Sequence, residues 1–216
     1  MEIVLHGKSA TVQRIFCVGM NYLDHVKELN NKIPEKPVIF MKPASSLIAS
    51  GKNPRFPSHG SNLHYETELV LLIGKGGHVK QESDAIRFIS GLTIGFDLTL
   101  RDLQNNLRQN GHPWEISKAF DDSAPIGNFL EFKSGVDLNN IEFSGFVNGE
   151  MRQKGNSSEM IFPIEKLVSC IGSIWDFLPG DIIFTGTPPG VGILKKGDTF
   201  SARFSLSNEE FSWQFQ

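Results

Sequence analysis

The stretch Leu63-His64-Tyr65-Glu66-Thr67-Glu68-Leu69-Val70-Leu71-Leu72-Ile73-Gly74 joins two acidic residues to an unbroken apolar run. In a strand alternate side chains share a face, so Glu66 and Glu68 point the same way with Cα atoms roughly 6.5 to 7 Å apart. Residues 69–73 have the composition of a strand covered on both faces, which places the carboxylates at or near a buried edge. Two like charges this close either stay solvated, share a proton, or hold a cation between them. A third carboxylate tips the balance toward burial. Gly91-Leu92-Thr93-Ile94-Gly95-Phe96-Asp97-Leu98-Thr99 reads as another apolar strand in which Asp97 is the sole charge, and such an Asp must be paired, protonated or bound to metal.

Composition limits the remaining choices. The chain has 216 residues, enough for one sizeable core, so a single domain over residues 1–216 is expected. A net charge of −3 with interspersed signs leaves no basic stripe for nucleic acid. Phe 17, Gly 21 and Pro 11 suit a β-rich globular protein with many tight turns. No segment reaches the ~18 continuous apolar residues that span a bilayer, and residues 1–8 show no secretory h-region. Cys17 and Cys170 lie far apart in apolar text, which fits reduced thiols and a cytoplasmic protein.

Along the chain, residues 14–18 form a strand, and Asn21 is the expected N-cap of a helix carrying His25 and Glu28 on one face. That pair is either a surface contact or a base with its orienting carboxylate. Residues 37–41 read as one strand inside a long loop region. Ser83 caps a short helix, and Thr99 with Asp102 fits a capping box opening a helix that stops at Asn110-Gly111. Residues 112–125 read as irregular, with Lys118 their one basic residue. Asn148-Gly149 marks a hairpin, and residues 155–158 a turn. Pro163 introduces a helix over residues 164–177 with Leu167, Val168, Ile171, Ile174 and Trp175 on its apolar face. Residues 181–187 form a buried strand. The glycines at 190 and 192 lack a following GK[ST] and are no phosphate loop, yet backbone amides and Thr187 offer a hold for a small carboxylate. Two strands near residues 199–206 and 211–215 close the chain.

Three carboxylates with no clustered Cys or His make an all-oxygen site that selects a hard cation, Mg²⁺, Mn²⁺ or Ca²⁺, over zinc. Such ions keep waters that a 2-oxo acid can displace, and they stabilise a developing enolate. His25 with Glu28 supplies a base, and Lys118 and Arg101 meet anionic oxygens.

Six ordered blocks carry a family resemblance. They are Asn21-Tyr22-x-x-His25-x-x-Glu28, Tyr65-Glu66-x-Glu68-Leu69, Gly95-x-Asp97-x-Thr99-x-Arg101-Asp102-x-Gln104, Lys118-x-Phe120-Asp121, Val147-Asn148-Gly149-Glu150-x-Arg152-Gln153, and Pro179-Gly180-Asp181-Ile182-Ile183-x-Thr185-Gly186-Thr187-Pro188-x-Gly190-Val191-Gly192. Together they resemble the fumarylacetoacetate hydrolase family, in its short single-domain branch of acylpyruvate hydrolases, oxaloacetate decarboxylases and hydroxyheptadienedioate isomerases. The resemblance implies a β-rich α+β fold, a mixed β-sandwich roll. It implies Mg²⁺ or Mn²⁺ at Glu66, Glu68 and Asp97, a His25/Glu28 dyad that orders with a lid, catalytic Lys118, substrate contacts from Arg101, Gln104, Gly186 and Thr187, and a homodimer. The activity it implies is hydrolysis of a C–C bond in an acylpyruvate-type diketo acid. Decarboxylation or keto-enol isomerisation of a 2-oxo acid at the same metal is the alternative, and a non-catalytic 2-oxo acid binder is a third reading. The chain departs from the branch at Met20, where arginine is common, and at Phe96.

Overall fold

Residues 69–73 lie in the middle of a mixed sheet, and their unbroken apolarity follows from what covers each side. In this computed structural model, which describes residues 2–5, 8–29 and 31–216, the strand Thr67–Ile73 pairs antiparallel with Ile89–Phe96 and with Ile182–Phe184. Leu69, Leu71 and Ile73 face one apolar cluster with Phe16, Ile183 and the helix residues Leu167, Val168 and Ile171. Val70 and Leu72 face a second cluster with Ile15, Cys17, Ile182 and Phe184. Each such side chain contributes roughly 1.5 to 3 kcal/mol on full burial, so neither face tolerates a polar alternation.

The sheet runs Val38–Lys42, Ile15–Gly19, Ile182–Phe184, Thr67–Ile73, Ile89–Phe96, Ala124–Ile126, Leu47–Ala49, and Leu130–Glu131 also pairs with Ile89–Phe96. A second sheet, Glu150–Asn156, Glu142–Val147, Thr199–Phe204, Phe211–Gln214, packs on it. The contact is aromatic: Phe96 meets Phe200 at 5.0 Å and Trp213 at 5.6 Å between ring centroids. Gly145 permits the close approach, because a Cβ there would stand 2.0 Å from Thr67 Oγ1. A three-stranded ribbon of Gly192–Ile193, Leu63–Tyr65 and Thr99–Leu100 completes the roll. The fold is therefore the expected β-rich α+β sandwich roll. Helices are few: Leu23–Glu28, Arg101–Gln109, Glu115–Lys118 and Ile164–Gly172 among the described residues. None is long and apolar enough to cross a membrane. Residues 1, 6 and 7 of the N-terminal stretch, and Asn30, lie outside the described residues.

Several local expectations are corrected. Glu66 and Glu68 do not share one strand, because pairing breaks at Glu66: Leu63–Tyr65 belongs to the ribbon and Thr67–Ile73 to the main sheet. Tyr22, not Asn21, is the N-cap of the first helix. Asn21 instead donates to Thr185 O and Phe162 O and accepts from Phe162 N, joining two distant segments. Thr99 and Asp102 form no capping box. The Thr99 hydroxyl turns to Asp97 O, and the Asp102 carboxylate accepts from Ser61 N and Oγ. A capping box does form at Asn156 and Glu159, opening a 3-10 turn, Ser157–Glu159, where a plain turn is expected. Residues 82–88 are a 3-10 helix with no side-chain cap from Ser83. Lys118 sits on a short helix rather than irregular chain, and a further strand, Leu47–Ala49, lies inside the long loop region. The last helix stops at Gly172, leaving Ile174 exposed.

Candidate active site

The break at Glu66 has a visible cause. Thr67 N–H leaves the ladder and donates to the Gln153 side chain at 2.8 Å, while Gln153 Nε2 donates to Thr187 Oγ1 and Pro188 O, both at 2.8 Å. A buried amide thus pins the backbone between the two glutamates. Asp97 follows the end of Ile89–Phe96, and its N–H donates to Glu66 O at 2.8 Å. These constraints bring Glu66, Glu68 and Asp97 together, all buried, with one carboxylate oxygen of each within 4.8 Å of the others.

Three cations surround the trio. Lys118 Nζ donates to Asp97 Oδ2 at 2.5 Å and to Glu66 Oε2 at 2.8 Å. Arg101 donates to Glu66 Oε1 and to Gln104 Oε1, its place at the first turn of Arg101–Gln109 putting both residues on the buried helix face. Lys42 Nζ lies 2.8 Å from Asp97 Oδ1. Burial alone would raise Glu66, but Lys118 and Arg101 outweigh it and hold the carboxyl well below the usual range. Burial likewise opposes the Lys118 ammonium, and Asp97 with Glu66 more than offset it, so its pKa is raised. Glu68 differs. Burial, then the charges of Asp97 and Glu66, push it well above the ordinary carboxyl value, and only Gly186 N–H, at 2.7 Å, and the Lys118 charge oppose them. A divalent cation supplies the counter-charge that Glu68 lacks, and three convergent carboxylate oxygens are a donor set for a hard ion. The residues therefore fit such a metal.

The dyad is assembled. His25, buried in the helix Leu23–Glu28, places Nδ1 3.1 Å from Glu28 Oε2, and the Gly190 amide donates to Glu28 Oε1 at 3.1 Å. A positive charge on His25 would lower the Glu66 pKa further. Met20, at φ 57, turns the chain from strand into this helix.

Of the residues named from sequence, Glu66, Asp97, Lys118, Arg101 and Gln104 form one bonded group, and the Glu68 carboxylate converges on it. His25 and Glu28 form a second one. Gly186 aims its N–H at the Glu68 carboxylate, and the Thr187 hydroxyl donates to Thr67 O, the backbone between the two glutamates, at 3.0 Å. Lys42 and Gln153 were not anticipated as site residues. A lone lysine closing the apolar run at residues 38–41 was the available signal for the first.

Comparison with known proteins gives the family. Residues 14–210 match the fumarylacetoacetate (FAA) hydrolase C-terminal family. The chain is 42% identical over 188 residues to the mitochondrial oxaloacetate decarboxylase of Dictyostelium discoideum, covering 87% of this chain and 86% of that protein. It is 41% identical over 199 residues to the mitochondrial oxaloacetate tautomerase FAHD1 of Arabidopsis thaliana, covering 92% and 89%. Among solved structures, fumarylpyruvate hydrolase from Pseudomonas aeruginosa in complex with Mn²⁺ and pyruvate superposes with a TM-score of 0.93 at 36% identity, covering 100% of this chain and 95% of that one. By the match over residues 14–210 and these relatives, this chain belongs to the fumarylacetoacetate hydrolase C-terminal family.

Proposed function

We propose that the protein is a divalent-metal-dependent hydrolase that cleaves a C–C bond in acylpyruvate-type diketo acids, giving pyruvate and a carboxylic acid. The observation that carries this reading is the pairing of a buried His25 with the partly exposed Glu28 in a chain that also gathers three carboxylates, since hydrolysis needs a base as well as a metal. Glu66, Glu68 and Asp97 would hold Mg²⁺ or Mn²⁺, which when bound polarises the pyruvoyl oxygens and stabilises enolate charge.

The chain's own residues account for the other steps. Glu28 occupies His25 Nδ1 and so leaves Nε2 as the basic nitrogen. His25 takes a proton from water, the resulting hydroxide adds to the distal carbonyl, and the adjacent C–C bond breaks with its electron pair passing to the pyruvate fragment as an enolate. The Lys118 ammonium and the Arg101 guanidinium place fixed positive charge beside that fragment. Protonation of the enolate carbon completes the reaction.

A second reading is supported by the relatives, which include an oxaloacetate decarboxylase and an oxaloacetate tautomerase. Both reactions use an enolate and neither needs an attacking water. Assays on acetylpyruvate and oxaloacetate with Mn²⁺ separate the readings. Hydrolysis requires release of acetate and pyruvate from the first compound, and turnover of oxaloacetate alone would replace it with the second reading. We also propose a homodimer, which light scattering tests by a mass twice that of the chain.

A further inference from the structure

Lys42 ends the edge strand Val38–Lys42, yet its side chain is 0 % exposed. An ammonium removed from water costs several kcal/mol unless it is fully partnered. Its Nζ donates to Lys118 O, to Ser123 O at 3.0 Å, to Ser123 Oγ at 3.1 Å and to Leu98 O at 3.2 Å. Those acceptors belong to three separate segments: the turn after Asp97, the end of Glu115–Lys118, and the residue before Ala124–Ile126. Ser123 Oγ adds its own bond to Lys118 O at 2.9 Å. Asp97 Oδ1 has no aligned hydrogen-bond donor, so the Lys42 ion contact at 2.8 Å is what faces that oxygen. Lys118 takes the other oxygen.

We propose that Lys42 is a positioning residue for the metal centre. It fixes the rotation of the Asp97 carboxylate and the backbone from which Lys118 extends. Two lysines clamp one carboxylate from its opposite oxygens, and one of them also holds the main chain of the other. The Lys42 side chain is sealed from the surface, and its role rests on the divalent-metal reading given above.

The test is Mn²⁺ titration followed by electron paramagnetic resonance on wild type, Lys42→Met and Ser123→Ala, with circular dichroism and steady-state kinetics on the same samples. Coulomb's law alone would make Lys42→Met bind Mn²⁺ more tightly, because a neighbouring positive charge is gone. Lost positioning does the opposite. Folded Lys42→Met is expected to bind Mn²⁺ about ten- to a hundredfold more weakly, with kcat reduced and KM little changed. Binding as tight as wild type, or tighter, overturns the proposal. Should Lys42→Met not fold, Ser123→Ala decides. It keeps the charge and removes one anchor, so affinity about two- to tenfold weaker is expected, and wild-type affinity overturns the proposal. Failure of wild type itself to bind Mn²⁺ would overturn the metal reading, and this inference with it.

Discussion

Replacing His25 by alanine removes the proposed base and leaves every carboxylate of the trio in place. Diketo-acid hydrolysis is expected to fall about 10²- to 10⁴-fold while Mn²⁺ affinity stays near wild type. Cleavage at the wild-type rate would remove His25 from the mechanism. Glu68→Gln gives the complementary result, loss of metal affinity with the dyad intact, and isothermal titration with Mn²⁺ checks it. At this scale the sequence was informative where chemistry is local. A lone Asp97 in an apolar strand, and two glutamates two residues apart, are legible because buried charge is rare without a partner. Lys42 was not legible in the same way. Its partners Asp97, Leu98, Lys118 and Ser123 lie 55 to 81 residues away in sequence, and no local pattern announces them.

Among the elements, the loop after Ile182–Phe184 holds Glu28 through the Gly190 amide. Gly190 has φ +96, and a Cβ there would stand 2.4 Å from Arg152 O, so alanine at this position must shift the amide that Glu28 accepts. Gly190→Ala is expected to lower kcat about tenfold or more, by displacing the dyad. A wild-type kcat in a folded variant would show that the loop does not hold Glu28 in the working state. Element boundaries show a general reason for the misread caps. Asn21, Thr99 and Asp102 all had the residue type of a cap, yet Asn21 and Asp102 found tertiary partners and Thr99 turned back to the local Asp97 O, while Asn156 and Glu159 closed the box. The Asn148-Gly149 hairpin was read correctly because positive φ at both residues, 52 and 80, is a local demand.

For the whole molecule, two buried acids of very weak strength contribute to the alkaline limit. Burial pushes the Cys17 thiol well above its ordinary 9.0, and burial with the Glu68 charge pushes Tyr22 well above 10.0. A raised folded-state pKa means that the folded protein keeps protons the unfolded chain gives up. Stability is therefore complete below about pH 9 and is lost as pH rises beyond it. Urea midpoints at pH 8, 9 and 10 are expected to fall in that order, and Cys17→Ala should flatten the first part of the fall. The same burial makes Cys17 inert to alkylation at pH 8 until the protein unfolds. Metal acts on stability from the other side. Mn²⁺ at a hundredfold its Kd is expected to add about 2.7 kcal/mol, and chelation to withdraw it, read as a shift of the thermal midpoint.

The sequence by itself determined the apolar strands, the hairpin, the acid types at the centre and, through six ordered blocks, the family. These are carried by residue type, short spacing and chain order. Only the tertiary structure decided that Glu66 stands at a corner between two sheets, that Gln153 holds this corner open, and that Lys42 and Lys118 divide Asp97 between them. Each of those arrangements depends on a buried polar group finding its partner across the fold. The cost of leaving such a group unpaired is set by the packing around it, which no stretch of chain carries alone.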